Sequence, residues 1–366
     1  VSSLVLLLGI ASAVGVAYVV GKVLATLSHT YGRFALDHPG TVQKFHVDPV
    51  PRVGGIAIYA AVAAGWAVVP HDGARGLLGM VLVAGLPAFG IGLLEDVTKR
   101  VGVMPRLLLT MASGAVACLI TGVAITRTEV ALADQWLAWW PFAVLFTAFA
   151  VGGMANAINI IDGFNGLASG TVTISLLALA GIALFVGDQS LALAGVLAAA
   201  AMTGFMVVNF PWGRLFLGDG GAYFAGFTLA WLCVMLLARN PSVSPWAAVL
   251  LCCYPTVEVV YSVIRRRLHR RSPGSPDRAH LHSLVATKLV QPRLEAVHPS
   301  LKNSAVSVVM WAFALAPVVP ALVFHDRSGI LITCIVAFIL AYHLAYRKLH
   351  ATEAETELEP AETPAG

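Results

Sequence analysis

The stretch Asn156-Ala-Ile-Asn159-Ile-Ile-Asp162-Gly163-Phe-Asn165-Gly166-Leu167 decides how the whole chain reads. An apolar run over 137–152 precedes it and another over 166–187 follows it. Each is close to the length a helix needs to cross about 30 Å of hydrocarbon. Between them, eleven residues (156–166) carry three asparagines, one acid and two glycines. A plain connector between two membrane helices has no need of that polarity. The stretch therefore reads as the edge of a chemical site at a membrane surface.

Working outward, the same alternation recurs along the chain. The hydrophobic fraction is 58%, only 11% of residues are charged, and the mean hydropathy is +0.82. A soluble domain carries about 25% charge. Backbone groups in lipid must be satisfied internally, so continuous apolar runs are helices, and their lack of alternation excludes a β-barrel. The expectation is an all-α polytopic membrane protein with eleven transmembrane helices, near 4–27, 53–70, 76–94, 105–125, 137–152, 166–187, 189–210, 219–238, 244–264, 305–324 and 329–346. They form one integral membrane domain over 1–350, and the first run is too long for a signal h-region. The acidic segment 351–366, with Glu353, Glu355, Glu357, Glu359 and Glu362, reads as a solvated, disordered tail. The five cysteines fall inside predicted spans without metal-type spacing and read as packing residues.

Lys and Arg set the orientation. Loops after odd-numbered spans, with the tail, hold 18 of the 23 basic residues; the other side holds four, Arg75, Arg127, Arg239 and Arg327, and Lys22 lies inside the first span. The C-terminus of this multi-pass membrane protein is therefore expected in the cytoplasm and the N-terminus on the opposite, periplasmic side. The polar loops would then build one active site on the cytoplasmic side. Nucleic acid is not an expected partner.

Those loops carry the chemistry. Residues 36–55 offer Lys44, His46 and Arg52 among prolines and glycines, cations beside backbone amides of the kind a diphosphate needs. Glu95-Asp96 follows a long apolar run, with Lys99, Arg100 and Arg106 beyond it. Two acids that close repel, so one can act as a base near neutral pH; the pair could equally ligate Mg²⁺ or cap a helix. In Gly218-Asp219-Gly220-Gly221, an acid among three glycines suits an Mg²⁺–phosphate pair. Asp277-Arg278-Ala-His280-Leu-His282 is a weak zinc signal and a better phosphate-contact site. Glu258, an acid inside a predicted span, is a functional or helix-pairing candidate.

Together these motifs resemble the polyprenyl-phosphate N-acetylhexosamine-1-phosphate transferase family, of the glycosyltransferase 4 type. The matching residues are Asp37-x-Pro39, Lys44-x-His46, Pro51-Arg52-x-Gly54-Gly55, Glu95-Asp96, Asn156-x-x-Asn159-x-x-Asp162-Gly-x-Asn165-Gly166, Gly218-Asp219-x-Gly221 and Asp277-Arg-x-His280-x-His282, within about residues 30–290. The resemblance implies catalytic roles for Asp96, Glu95, Asp162, Lys44, His280 and His282, with Asp96 deprotonating or orienting a lipid phosphate. It implies substrate contacts from His46, Arg52, Asn156, Asn159, Asn165, Arg106 and Arg278. Mg²⁺, with Mn²⁺ as a substitute, would be held by Asp219, Asn159 and Asp162. Glu95 stands where the family has Asp, Ser283 where it often has a further His, and Asn165 where many members carry Asp.

The implied reaction is transfer of a sugar-1-phosphate from a UDP-N-acetylhexosamine-type donor to undecaprenyl or another polyprenyl phosphate, releasing UMP. Such a reaction starts a cell-surface polysaccharide such as O-antigen. Direct attack by the lipid phosphate is favoured over a two-step route through an aspartyl-phosphate, and a homodimer is an allowed state. One alternative is the phospho-N-acetylmuramoyl-pentapeptide transferase of peptidoglycan synthesis. An alternative of another class is a secondary transporter, against which stand polar groups at one face and the lack of a visible repeat.

Overall fold

The computed structural model describes residues 3–27, 36–37, 50–268 and 279–358. Lys44, His46 and Arg278 lie outside the described residues, as does the end of the expected tail. The elements used below are α1 (Ser3–Thr26), α2 (Gly54–Val68), α3 (Asp72–Thr98), α4 (Val103–Thr121), the short α5 (Ala131–Leu137), α6 (Trp140–Ile161), α7 (Leu167–Phe185), α8 (Gln189–Asn209) and α9 (Gly218–Arg239). Then come α10 (Pro245–Leu251), α11 (Cys253–Leu268), the single turn α12 (Leu281–Leu284), α13 (Pro299–Val323) and α14 (Ser328–Leu358). Two-residue strands β1 (Leu36–Asp37) and β2 (Val50–Pro51) pair antiparallel.

Among the described residues nine helices are long and apolar enough to cross a membrane, or ten if one bent pair counts as a span. The eleven expected runs are all helical, yet two of them depart from a plain span. α2 has 15 residues, roughly 22 Å at the helical rise per residue and short of the hydrocarbon thickness. The run expected over 244–264 breaks into α10 and α11, bent by 75°. Pro255 supplies the reason: it has no N–H to return to the Leu251 carbonyl. That carbonyl accepts instead from Ser175 Oγ at 2.7 Å.

Three boundaries move, and they matter for chemistry. α3 runs on to Thr98, so Glu95 and Asp96 sit in its last turn and not in a loop. α6 runs on to Ile161, nine residues past the expected stop at 152, so Asn156 and Asn159 are helical. α14 continues to Leu358, through the first residues of the expected tail.

α9 is the axis of the bundle. Its apolar window is 89% buried, against 17% for α14 at the rim. α3, α6, α2 and α7 pack around it, and Trp231, Phe224 and Phe227 fill the space between. The glycines at its start permit this density. A Cβ on Gly55 would stand 2.7 Å from Gly221 Cα, and one on Gly92 would stand 2.5 Å from Gly220 Cα. α2 and α3 thus touch the first turn of α9 backbone to backbone. The glycine-rich motif that read as room for a ligand is, at Gly220 and Gly221, room for two neighbouring helices.

Candidate active site

The site is built where α9 begins. The segment leading into α2 zips against the segment leading into α9: Phe216 N–H donates to Pro51 O at 2.8 Å, Gly54 N–H to Phe216 O at 3.0 Å and Gly55 N–H to Leu217 O at 3.0 Å. This pairing carries Arg52 to the mouth of α9. Gly218 turns the chain there with φ +74°, and a Cβ on it would collide with the Arg52 carbonyl.

Asp96, on α3, caps α9 across space. Its Oδ1 accepts from Asp219 N–H at 2.8 Å and its Oδ2 from Gly220 N–H at 2.9 Å, with the residue 2% exposed. An anion at a helix N-terminus meets both the unpaired N–H groups and the positive end of the dipole. The expected base thus has both oxygens turned into a helix start. Arg52 Nε lies 3.9 Å from Asp96 Oδ1.

The capped helix presents Asp219. Its Oδ1 accepts from Arg52 Nη2 at 3.0 Å and from Asn159 Nδ2 at 3.0 Å. Its Oδ2 accepts from Arg106 Nη1 at 2.7 Å and from Tyr223 OH at 3.4 Å. Asn159, expected as a metal ligand, here donates to the carboxylate and orients it. Tyr223 was not singled out in the sequence, though it lies one helical turn past Asp219, where helical side chains meet.

Asp162, just beyond the end of α6, is half-buried, and no described residue hydrogen-bonds its carboxylate. The protein packed around it raises its pKa to about 7; Arg52 pulls it down and the Asp219 charge pushes it up. It is therefore an acid electrostatically coupled to Asp219 and open to a ligand. Magnesium takes one or two protein carboxylates and completes its shell with water and substrate phosphates. Asp162 and Asp219 fit that donor set, although among the described residues no group of three or more His, Cys, Asp or Glu is gathered for a metal.

The other expected site residues brace this centre. Glu95 Oε2 accepts from Val101 N–H at 2.7 Å and fastens the α3–α4 turn. Asn156 donates to Thr110 Oγ1 at 2.9 Å, tying α6 to α4. Asn165 is buried, with its amide donating to Pro211 O at 3.1 Å and its backbone N–H to Asn303 Oδ1 at 2.7 Å. It therefore joins the 163–166 turn to α13. Asn209, unmarked in the sequence, accepts from Gly166 N–H at 2.6 Å and donates to Leu215 O at 2.8 Å.

His282 packs against this turn, and His280 stacks on His282 with ring centroids 5.2 Å apart. The His282 ring meets Phe164 edge-on, with centroids 5.7 Å apart. Its Nε2 lies 3.5 Å from where a Cβ of Gly163 would project, beside Asp162. Burial lowers the His282 pKa, an effect opposed by Glu258. Residues from five segments far apart in sequence thus meet at one end of the bundle.

The model of "Glycosyl transferase family 4" matches residues 78–237. An Escherichia coli O157:H7 protein named undecaprenyl-phosphate alpha-N-acetylglucosaminyl 1-phosphate transferase is 30% identical over 248 residues, 66% of this chain and 67% of its own. The Yersinia pestis protein of the same name is 30% identical over 256 residues, with the same shares. A Bacillus subtilis (strain 168) protein, named a probable undecaprenyl-phosphate N-acetylglucosaminyl 1-phosphate transferase, is 27% identical over 254 residues, 68% of each chain.

Proposed function

This chain belongs to glycosyl transferase family 4, and we propose that it transfers a sugar-1-phosphate from a UDP-N-acetylhexosamine-type donor to undecaprenyl phosphate. An oxygen of the lipid phosphate bonds to the β-phosphorus of the donor. The bond from that phosphorus to the bridging oxygen breaks, and UMP leaves with that oxygen. The product is a sugar–diphosphate–polyprenol that stays in the membrane, and the site faces the cytoplasm.

The observation that carries this reading is the convergence of Arg52 and Arg106 on Asp219 at the start of α9. Phosphoryl transfer is mostly positioning and charge neutralisation. Two guanidinium groups beside a helix N-terminus supply donors for the phosphate oxygens. Asp219 and Asp162 are the residues that would hold Mg²⁺ or Mn²⁺, which when bound withdraws charge from the diphosphate. Asn159 and Tyr223 steady Asp219, and Asp96 fixes the helix start beneath it. Asp96 has both oxygens committed to backbone N–H groups, which favours direct attack by the lipid over an enzyme-bound phosphate on that residue.

The test is purified protein with undecaprenyl phosphate, Mg²⁺ and a panel of radiolabelled UDP-amino sugars. Label entering the lipid extract with stoichiometric UMP is the expected result. No transfer from any donor in the panel by folded protein would overturn the reading.

A further inference from the structure

Glu258 lies in α11, 1% exposed, and the His280–His282 turn gathers on its carboxylate. Leu281 N–H donates to Oε1 at 2.9 Å, and His280 Nδ1 stands 3.1 Å from the same oxygen. His282 Nδ1 faces Oε2 at 3.7 Å. These last two atoms are both buried and have no hydrogen-bond partner. Two orphaned polar atoms facing each other become a hydrogen bond on a shift of less than about 1 Å, and active-site bonds often tighten when substrate binds.

The two imidazoles are parallel, with centroids 5.2 Å apart and planes 3° apart. α12 is a single turn of four residues and cannot by itself hold two rings in register. An ionised carboxylate only accepts, so the imidazole hydrogen that faces it sits on Nδ1. Nε2 is then the atom left for the site, and at His282 it points to Gly163 beside Asp162. Nε2, bare in that tautomer, takes the remaining proton of an arriving phosphate monoester and donates it back as an imidazolium N–H to a phosphate oxygen, with Glu258 balancing the charge behind it.

We propose that Glu258 is a positioning residue that fixes the Nδ1–H tautomer of His280 and His282 and aims both Nε2 atoms, as one unit, at the phosphate-binding face of the site. The proposal rests on the transfer reaction for its kinetic readout only. Its tautomer readout is independent of any activity.

The experiment uses the full chain in detergent, labelled with ¹⁵N-histidine, the two signals being assigned with His280→Gln and His282→Gln. Wild type should show Nδ1 protonated on both. In Glu258→Gln the new amide N–H faces His282 Nδ1, so the hydrogen should move to Nε2. kcat should fall ~10²-fold, as for other partners that orient a histidine, while the donor KM changes by less than about threefold. Glu258→Asp keeps the charge and should keep the tautomer and recover much of kcat. It also serves as the reporter if Glu258→Gln fails to fold, and wild-type kcat in a folded Glu258→Gln would overturn the proposal. An unprotonated Nδ1 on either histidine in wild type would overturn it as well. Wild-type protein with the expected tautomers but no transfer would instead sink the reaction and leave the role of Glu258 standing.

Discussion

Replacing Asp96 by Asn separates a structural acid from a catalytic base. In the structure both carboxylate oxygens accept backbone N–H groups of α9, at 2.8 and 2.9 Å, in a buried setting. Asn keeps one acceptor and turns an NH₂ toward the second N–H, donor against donor. The retained bond loses its charge assistance, about 1 kcal/mol, and the lost one leaves a buried N–H unpaired at about 1–3 kcal/mol. Losing the anion at the helix start adds roughly 0.3–1 kcal/mol. The sum is about 3–4 kcal/mol, large against the stability of most folds. Asp219 shifts with its own backbone, so activity should fall together with stability. The free cysteines, among them buried Cys118, Cys233 and Cys253, give an assay: reaction with a thiol-reactive fluorophore during a thermal ramp. The expected result is an inactive variant that melts many degrees lower, next to Glu95→Gln with near-normal turnover and melting because it still accepts from Val101 N–H. An inactive Asp96→Asn with wild-type melting would refute the capping argument and restore Asp96 as a group that acts on substrate.

Asp219→Asn should lose about 10²–10³-fold in turnover, because Arg52 and Arg106 then face a neutral amide; full activity in chelator would refute the magnesium assignment at Asp162 and Asp219. In metal-free protein the folded-state pKa of Asp162, about 7, lies above the unfolded value of about 3.9, so its stabilising effect is complete below the unfolded value and is lost as pH rises through 7. Asp162→Asn should therefore raise the melting temperature over wild type more at pH 8 than at pH 5, and equal offsets would contradict the burial argument. Gly55→Ala pushes a methyl group onto the Gly221 backbone and should destabilise by about 1–3 kcal/mol, whereas Gly76→Ala, with nothing within 4 Å of its new methyl, should melt like wild type. In a cysteine-free background, Ser300→Cys should resist an impermeant thiol reagent in intact cells while Asp72→Cys and Ser242→Cys react; the reverse pattern would invert the orientation drawn from the Lys and Arg distribution.

The sequence by itself determined that the chain is helical and built for a membrane, because long apolar runs with so little charge have no other stable state in lipid. It also marked most of the acids and cations that meet at the site, since such groups at the ends of apolar helices are costly unless used. Periodicity did not find where the helices end. Asn156 and Asn159 look like loop residues until Thr110 and Asp219 are seen to receive their amides. Nor could it separate similar side chains by role. Asp96 and Asp219 read alike as acids beside glycine or at an apolar boundary, yet one caps a helix and the other is gripped by two arginines. Asn165 and Glu258 read as a substrate contact and a lone intramembrane acid until their partners in α13 and α12 are placed. Those roles depend on contacts across 138 and 23 positions of the chain. Only packing brings such groups within the short range over which a hydrogen bond acts.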